Sequence, residues 1–180
     1  MERKTPDLRA LRIVRFPDPI LKKVAKPVQV FDASVLELTA RMLELMREHE
    51  GVGLAGPQVG QSLRIFVCNA TGEAGDDLIF VNPLLSNLTG NDEQSEGCLS
   101  IPGVSVQMRR ATQAALQAVD AAGNPVQVEG AGLLARIWQH EIDHLDGRLI
   151  IDFQSTADEI ANRKAIKQLR EEYRRSRRKS

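Results

Sequence analysis

The segment Leu133-Leu-Ala-Arg-Ile-Trp-Gln-His-Glu-Ile-Asp-His-Leu145 spaces Leu133, Ile137, His140 and His144 along one stripe of a helix. Gly147 is a plausible stop just beyond it. Within the stripe, His140 and His144 stand four apart and therefore share a face, so both imidazoles can point at one ion. Glu141 sits beside them in sequence and can reach a water held at that ion. This HExxH pattern takes two of the three histidines in the chain and follows a strongly apolar turn. The third histidine, His49, stands in Arg-Glu-His-Glu and reads as a helix-terminal residue rather than a ligand.

Working outward, residues 149–153 read as a short strand, and residues 156–159 match a capping box that opens a C-terminal helix. Upstream, residues 114–119 and 126–129 flank a turn at 121–125 and predict a β-hairpin. Residues 104–108 alternate like a strand, whereas residues 84–97 are polar and turn-like. Residues 64–69 and 78–82 are rich in branched and aromatic side chains and predict strands. Residues 51–60 form a glycine-rich loop. A long helix is expected from a capping box at 34–37 to about residue 50, with Leu38, Met42, Leu45 and Met46 on its apolar face. Residues 11–17 predict a short strand closed by Pro17. The sum is an α+β fold: mainly antiparallel sheet around a central metal-binding helix, with a second long helix and a C-terminal helix.

The chain has 180 residues and shows no internal repeat or linker, so a single domain over residues 1–180 is expected. At this size roughly two thirds of the unfolded surface is buried on folding, enough for a core without disulfides. Two cysteines, Cys68 and Cys98, suit a reducing cytosol. Cys68 lies in the run 64–68 and reads as a buried strand residue. Lys plus Arg and Asp plus Glu are 24 each, which gives no bulk charge for DNA or a membrane surface. The stretch MERKTPDLRALRIVRFPDP lacks the apolar region of a signal peptide, and no 18-residue apolar run exists. The expected compartment is the cytoplasm.

Two histidines do not complete a catalytic metal site, because a third protein ligand is usual. Downstream candidates are Asp158, Glu159, Glu171 and Glu172. A third histidine in the metzincin spacing fails, because that position is Ile150. The upstream candidate is Cys98, between a glycine turn and a polar loop, whose thiolate would bind zinc or ferrous iron strongly.

With three motifs in order, the sequence resembles the peptide deformylase family from about residue 13 to residue 153. They are Gly51-Val-Gly-Leu-Ala-Gly-Pro-Gln58, Glu96-Gly-Cys-Leu-Ser100 and Gln139-His-Glu-Ile-Asp-His144. The resemblance implies a metal-dependent hydrolase that removes the N-formyl group from formylmethionyl peptides through water activated at the ion. It implies Cys98, His140 and His144 as ligands of one divalent metal, Fe2+ in the cell with Zn2+ or Ni2+ as substitutes. Glu141 would be the general acid and base. The Gln58 amide and the Leu99 backbone N–H would receive the formyl oxygen, Gly53 would pair with the extended peptide, and Ile137 would wall the methionine pocket.

Glu96 and Asp143 suit roles behind the ligands, and either Arg109 or Arg110 would pair with Asp143. One departure from the family is Gly56, where alanine is usual; the lost methyl is expected to loosen the loop that carries Gln58. Trp138, the only tryptophan, is expected in the core. The basic end of the chain, residues 169–180 with Arg170, Arg174, Arg175, Arg177, Arg178 and Lys179, offers a ribosome contact through rRNA phosphates. Two other readings compete: a metalloprotease with a downstream glutamate ligand, and a non-catalytic metal-binding relative that only holds formylated peptides.

Overall fold

The run Ile65–Cys68 (strand β2) is buried on both faces, which is why it reads as continuous apolar sequence rather than as alternation. Successive side chains point to opposite faces of a strand. Ile65 and Val67 join the cluster under helix α1 (Ala33–Glu48), while Phe66 and Cys68 join the cluster under helix α2 (Leu133–Leu145). This arrangement is that of a computed structural model in which residues 8–178 are described. The first seven residues of the N-terminal stretch and Lys179 of the basic end lie outside the described residues.

The main sheet has the order β1 (Gly53–Ala55), β2, β3 (Leu78–Thr89), β6 (Gln113–Val119), β7 (Pro125–Ala131), and all its neighbours are antiparallel. A separate two-stranded antiparallel sheet pairs β4 (Asp92–Glu96) with β5 (Val106–Arg110). Helix α2 packs on the main sheet, and helix α3 (Thr156–Arg177) sets Leu169 into a third cluster with Leu149, Ile150, Val106 and Met108. The fold is α+β, as expected. No helix among the described residues is long and apolar enough to cross a membrane.

The long helices lie where their periodicity predicts, but their caps differ. The N-cap of α1 is Asp32, whose carboxylate accepts the Ser34 N–H at 2.9 Å, so Ser34 lies inside the helix. His49 is the C-cap of α1, and Glu50 follows in the left-handed region at φ 55°. In α3 the capping box is shifted by one residue to Ser155 and Asp158.

Three strand expectations are corrected. Residues 11–17 form no strand, because their backbone donors go to two different loops: Val14 N–H to Gln58 O at 2.7 Å and Phe16 N–H to Ser100 O at 2.9 Å. Residues 149–153 are not a strand; Ile150–Phe153 is a 3-10 turn, held by the Asp152 carboxylate on Leu149 N–H at 2.8 Å. The polar stretch 84–97 is not a loop, since it holds the far half of β3 and all of β4. Beyond Val81, β3 bends at a register shift where Asn82 takes φ 51° and its side chain bonds both Val28 N–H and Val28 O.

Trp138 is fully buried, as expected, and meets Phe80 edge-to-face at 5.7 Å. The indole fits because β7 has Gly130 beneath it: a Cβ there would lie 2.6 Å from the Trp138 ring. Gly130→Ala should therefore destabilise the fold by about 1–3 kcal/mol through overpacking. A urea midpoint equal to that of the wild type would contradict this. Cys68 is also fully buried. Burial, reinforced by the Glu141 carboxylate, pushes its thiol from 9.0 up to about 12. The folded protein thus keeps a proton that the unfolded thiol releases, and the associated stability is present below pH 9 and lost as pH rises toward 12. Stability measured across that window should fall more steeply for the wild type than for Cys68→Ala; parallel curves would count against it.

Candidate metal centre

Two segments converge beside α2. The chain leaves β1 into a 3-10 turn, Gly56–Val59, that carries Gln58. It leaves β4 at Glu96 and turns through Gly97 to Cys98. Helix α2 supplies His140, Glu141 and His144. One cavity of about 540 Å³ opens among them, lined by Gln58, Cys98, Leu99, Ile137, His140 and Glu141, with Gly53 on its wall. That volume is ordinary for a ligand site.

Cys98, His140 and His144 each offer one ligand atom, all within 4.8 Å of one another. The Cys98 Sγ to His144 Nε2 separation is 3.2 Å. The Nδ1 of His140 is engaged by Glu96 Oε2 at 3.0 Å, which leaves its other ring nitrogen for an ion. One soft thiolate with two imidazoles is a donor set suited to zinc or ferrous iron. Of the third-ligand candidates, Cys98 is the one the fold brings beside the two histidines. Asp158 caps α3, Glu171 and Glu172 lie along α3 with Arg175 and Gln168, and Glu159 is exposed there. His49 reaches the cavity rim but is outside the ligand cluster.

Behind these three side chains lies a buried charge network. Arg110, not Arg109, pairs with Asp143, at 2.6 Å, and also donates two bonds to Glu96 at 3.0 Å each. Arg109 points outward to Glu93. Burial would raise the Glu96 carboxyl, but His140 and Arg110 hold it well below the usual carboxylate range. Burial also pulls His140 down, yet the neighbouring Cys98 and Glu96 raise it well above its ordinary value. His144 is held well below its ordinary value, first by burial and then by the charges of His140 and Arg110.

Glu141 is 3% exposed, and its Oε2 has no protein partner among the described residues. Burial is the main cause that pushes its carboxyl up to about 7; Glu96 and Asp143 add to the effect, and His140 and Arg110 oppose it. Gly53 makes room for it, since a Cβ there would overlap the Glu141 carboxylate and stand 2.9 Å from Ile137 Cγ2. That packing role was not read from the sequence, where Gly53 pointed only to peptide approach.

Gln58 is buried and oriented at both ends of its amide. Its Oε1 accepts the Ala55 N–H at 2.8 Å, and its Nε2 lies 3.5 Å from Cys98 Sγ and 3.3 Å from Ser100 Oγ. The surroundings of Gly56, where loosening was expected, are tightly packed. A Cβ at Gly56 would lie 2.6 Å from Leu63 O and 2.8 Å from Gln61 O, so the bare glycine lets that chain close against the turn. Gln61 N–H also bonds Gly56 O at 2.9 Å. Arg136 went unread in the sequence, although it lies four residues before His140 on the same helical face.

Comparison with known proteins agrees with this arrangement. The family model described as polypeptide deformylase matches residues 10–159. A peptide deformylase of Hahella chejuensis is 41% identical over 157 residues, covering 87% of this chain and 94% of that protein. One from Dictyoglomus thermophilum is 46% identical over 135 residues, covering 75% and 86%. The crystal structure of a peptide deformylase from Legionella pneumophila superposes with a TM-score of 0.84 at 41% identity, covering 91% of this chain and 98% of that one. The chain belongs to the peptide deformylase family, metal-dependent hydrolases whose reaction is removal of the formyl group from N-terminal formylmethionine.

Proposed function

We propose that Cys98, His140 and His144 hold one divalent metal, that Glu141 moves the proton, and that Gln58 with the Leu99 backbone N–H receives the formyl oxygen. The observation that carries this reading is the convergence of Gln58, Cys98, His140 and Glu141 on one cavity wall around a buried, unpaired carboxylate oxygen, with His144 behind them inside the same 4.8 Å cluster as Cys98 and His140. When bound, the ion supplies Lewis-acid chemistry, polarising the formyl carbonyl and acidifying water. We take it to be Fe2+ in the cell, with Zn2+ or Ni2+ as substitutes, in keeping with a thiolate–imidazole donor set.

The residues then divide the work. Glu141 takes a proton from the attacking water as its oxygen bonds to the formyl carbon. The developing oxyanion accepts hydrogen bonds from Gln58 Nε2 and Leu99 N–H, each worth about 3 kcal/mol in the transition state. Glu141 returns the proton to the departing nitrogen as the C–N bond breaks, so formate and the free α-amine leave. A carboxyl near 7 suits both transfers at neutral pH. Ile137 walls the pocket for the methionine side chain. Gly53 lies on β1, the edge strand of the sheet, whose free side can pair with an extended peptide.

This reading takes the chain to act as a single domain in the cytoplasm. It also gives the basic end a ribosome contact. Arg170, Arg174, Arg175 and Arg177 ride on α3 and carry charge that rRNA phosphates would attract.

Two experiments test it. On a formyl-Met tripeptide, Glu141→Gln should lose about 100-fold or more in kcat while keeping its metal, whereas Cys98→Ser should lose metal and activity together. Wild-type turnover by Glu141→Gln would remove Glu141 from its role. Deleting residues 174–180 should leave peptide turnover intact and weaken ribosome co-sedimentation at low salt, and unchanged co-sedimentation would remove the ribosome contact.

A further inference from the structure

Arg136 is an arginine in the first turn of α2 that is only 7% exposed. Its guanidinium reaches across to the separate β4–β5 sheet. Nη1 donates to Glu96 Oε1 at 2.8 Å and to Met108 O at 3.0 Å, and Nη2 donates to Asp92 O at 3.0 Å, with Asp92 Oδ2 at 3.6 Å. One side chain on the helix that carries His140 and His144 therefore holds both ends of β4 and the middle of β5. Cys98 hangs two residues beyond the end of β4.

The Glu96 carboxylate is the junction. Its Oε1 faces Arg136 and Arg110 Nε, and its Oε2 faces Arg110 Nη2 and His140 Nδ1. Arg110 lies on β5 itself, so it fastens Glu96 within the small sheet and to Asp143. Arg136 fixes the same carboxylate from the turn that precedes His140. A planar, fixed fork of donors makes this a directional constraint and not only a charge balance.

We propose that Arg136 is a positioning residue for the metal centre: it locks the β4–β5 sheet to α2, fixes the Cys98-to-His140 separation, and keeps Glu96 oriented on His140 Nδ1. It touches no reacting atom. Without it, the thiolate and imidazole donors would sit on two units joined by fewer directional bonds, and Glu96 could rotate away from His140. Groups that orient a ligand from behind typically change metal affinity by about 10–100-fold when removed. The proposal rests on the ligand set given above.

The test uses the full chain loaded with zinc and, separately, with cobalt. Zinc release to excess chelator should accelerate about tenfold or more in Arg136→Met, and less in Arg136→Lys, which keeps the charge but not the planar fork. The sulfur-to-cobalt charge-transfer band should shift in Arg136→Met. Arg109→Ala, on the same sheet but paired only with exposed Glu93, should release zinc at the wild-type rate. Circular dichroism and Tm show whether each variant is folded, and a lower Tm alone does not support the proposal. Wild-type release and spectrum in Arg136→Met would overturn the positioning role alone, as would equal acceleration in Arg109→Ala. A wild-type chain that retains no zinc would overturn the ligand set and the proposal together.

Discussion

Glu96 is a carboxylate buried to 7% exposure that meets three cationic or polar donors from two structural units: Arg110 from β5, and Arg136 and His140 from α2. Removing such a charge from water is costly unless its lone pairs are fully used. Here both oxygens are used, and the group stays ionised because Arg110 and His140 outweigh burial. The interaction is thus only stable when the small sheet and the metal helix are docked. That condition is also the one that brings Cys98 to His144. The candidate ion site is consequently a product of tertiary docking, not of the helix alone.

The second constraint is the double burial of β2. Because Ile65 and Val67 face α1 while Phe66 and Cys68 face α2, one short strand fixes both helices relative to the sheet. β1 pairs along β2 from Gly53 opposite Cys68 to Ala55 opposite Phe66, and Gln58 follows immediately. The position of Gln58 relative to α2 is therefore inherited from the core. The Gly56 carbonyl contacts close the turn that carries it, and the Ala55 N–H fixes which end of the amide faces Cys98.

Much of this was legible in the sequence, and the gaps have physical causes. The α2 stripe and the apolar run of β2 are local patterns that survive without tertiary information. β4, by contrast, reads Asp-Glu-Gln-Ser-Glu and is mostly exposed, so its strand character comes from backbone pairing with β5 and leaves no apolar alternation. The 3-10 turn at Ile150–Phe153 depends on one Asp152 side-chain bond that competes with strand propensity. The choice between Arg109 and Arg110 was decidable in principle: Val106, Met108 and Arg110 share the buried face of β5, and Arg109 does not. Arg136 was harder to see. A charged residue in a helix normally reads as exposed, and only partners from residues 92, 96 and 108 make its burial tolerable.

Gly53 shows how one residue can answer to two demands. On the edge strand its backbone lies where we propose that an extended peptide pairs, which is what a glycine in that motif suggests. From behind, its missing side chain is what lets Glu141 lie flat against β1 with Ile137 beside it. That close approach keeps the carboxylate away from water, and burial is the largest cause of its rise to about 7. A carboxylate in its ordinary range would be a poor proton donor to a leaving amine, and one fully paired by arginine would be a poor base. Arg110 and Arg136 both spend their donors on Glu96, and Arg110 also on Asp143, so neither pairs with Glu141. The network proposed to orient the ligands thus also leaves Glu141 Oε2 without an arginine partner, as the proposed proton transfer requires.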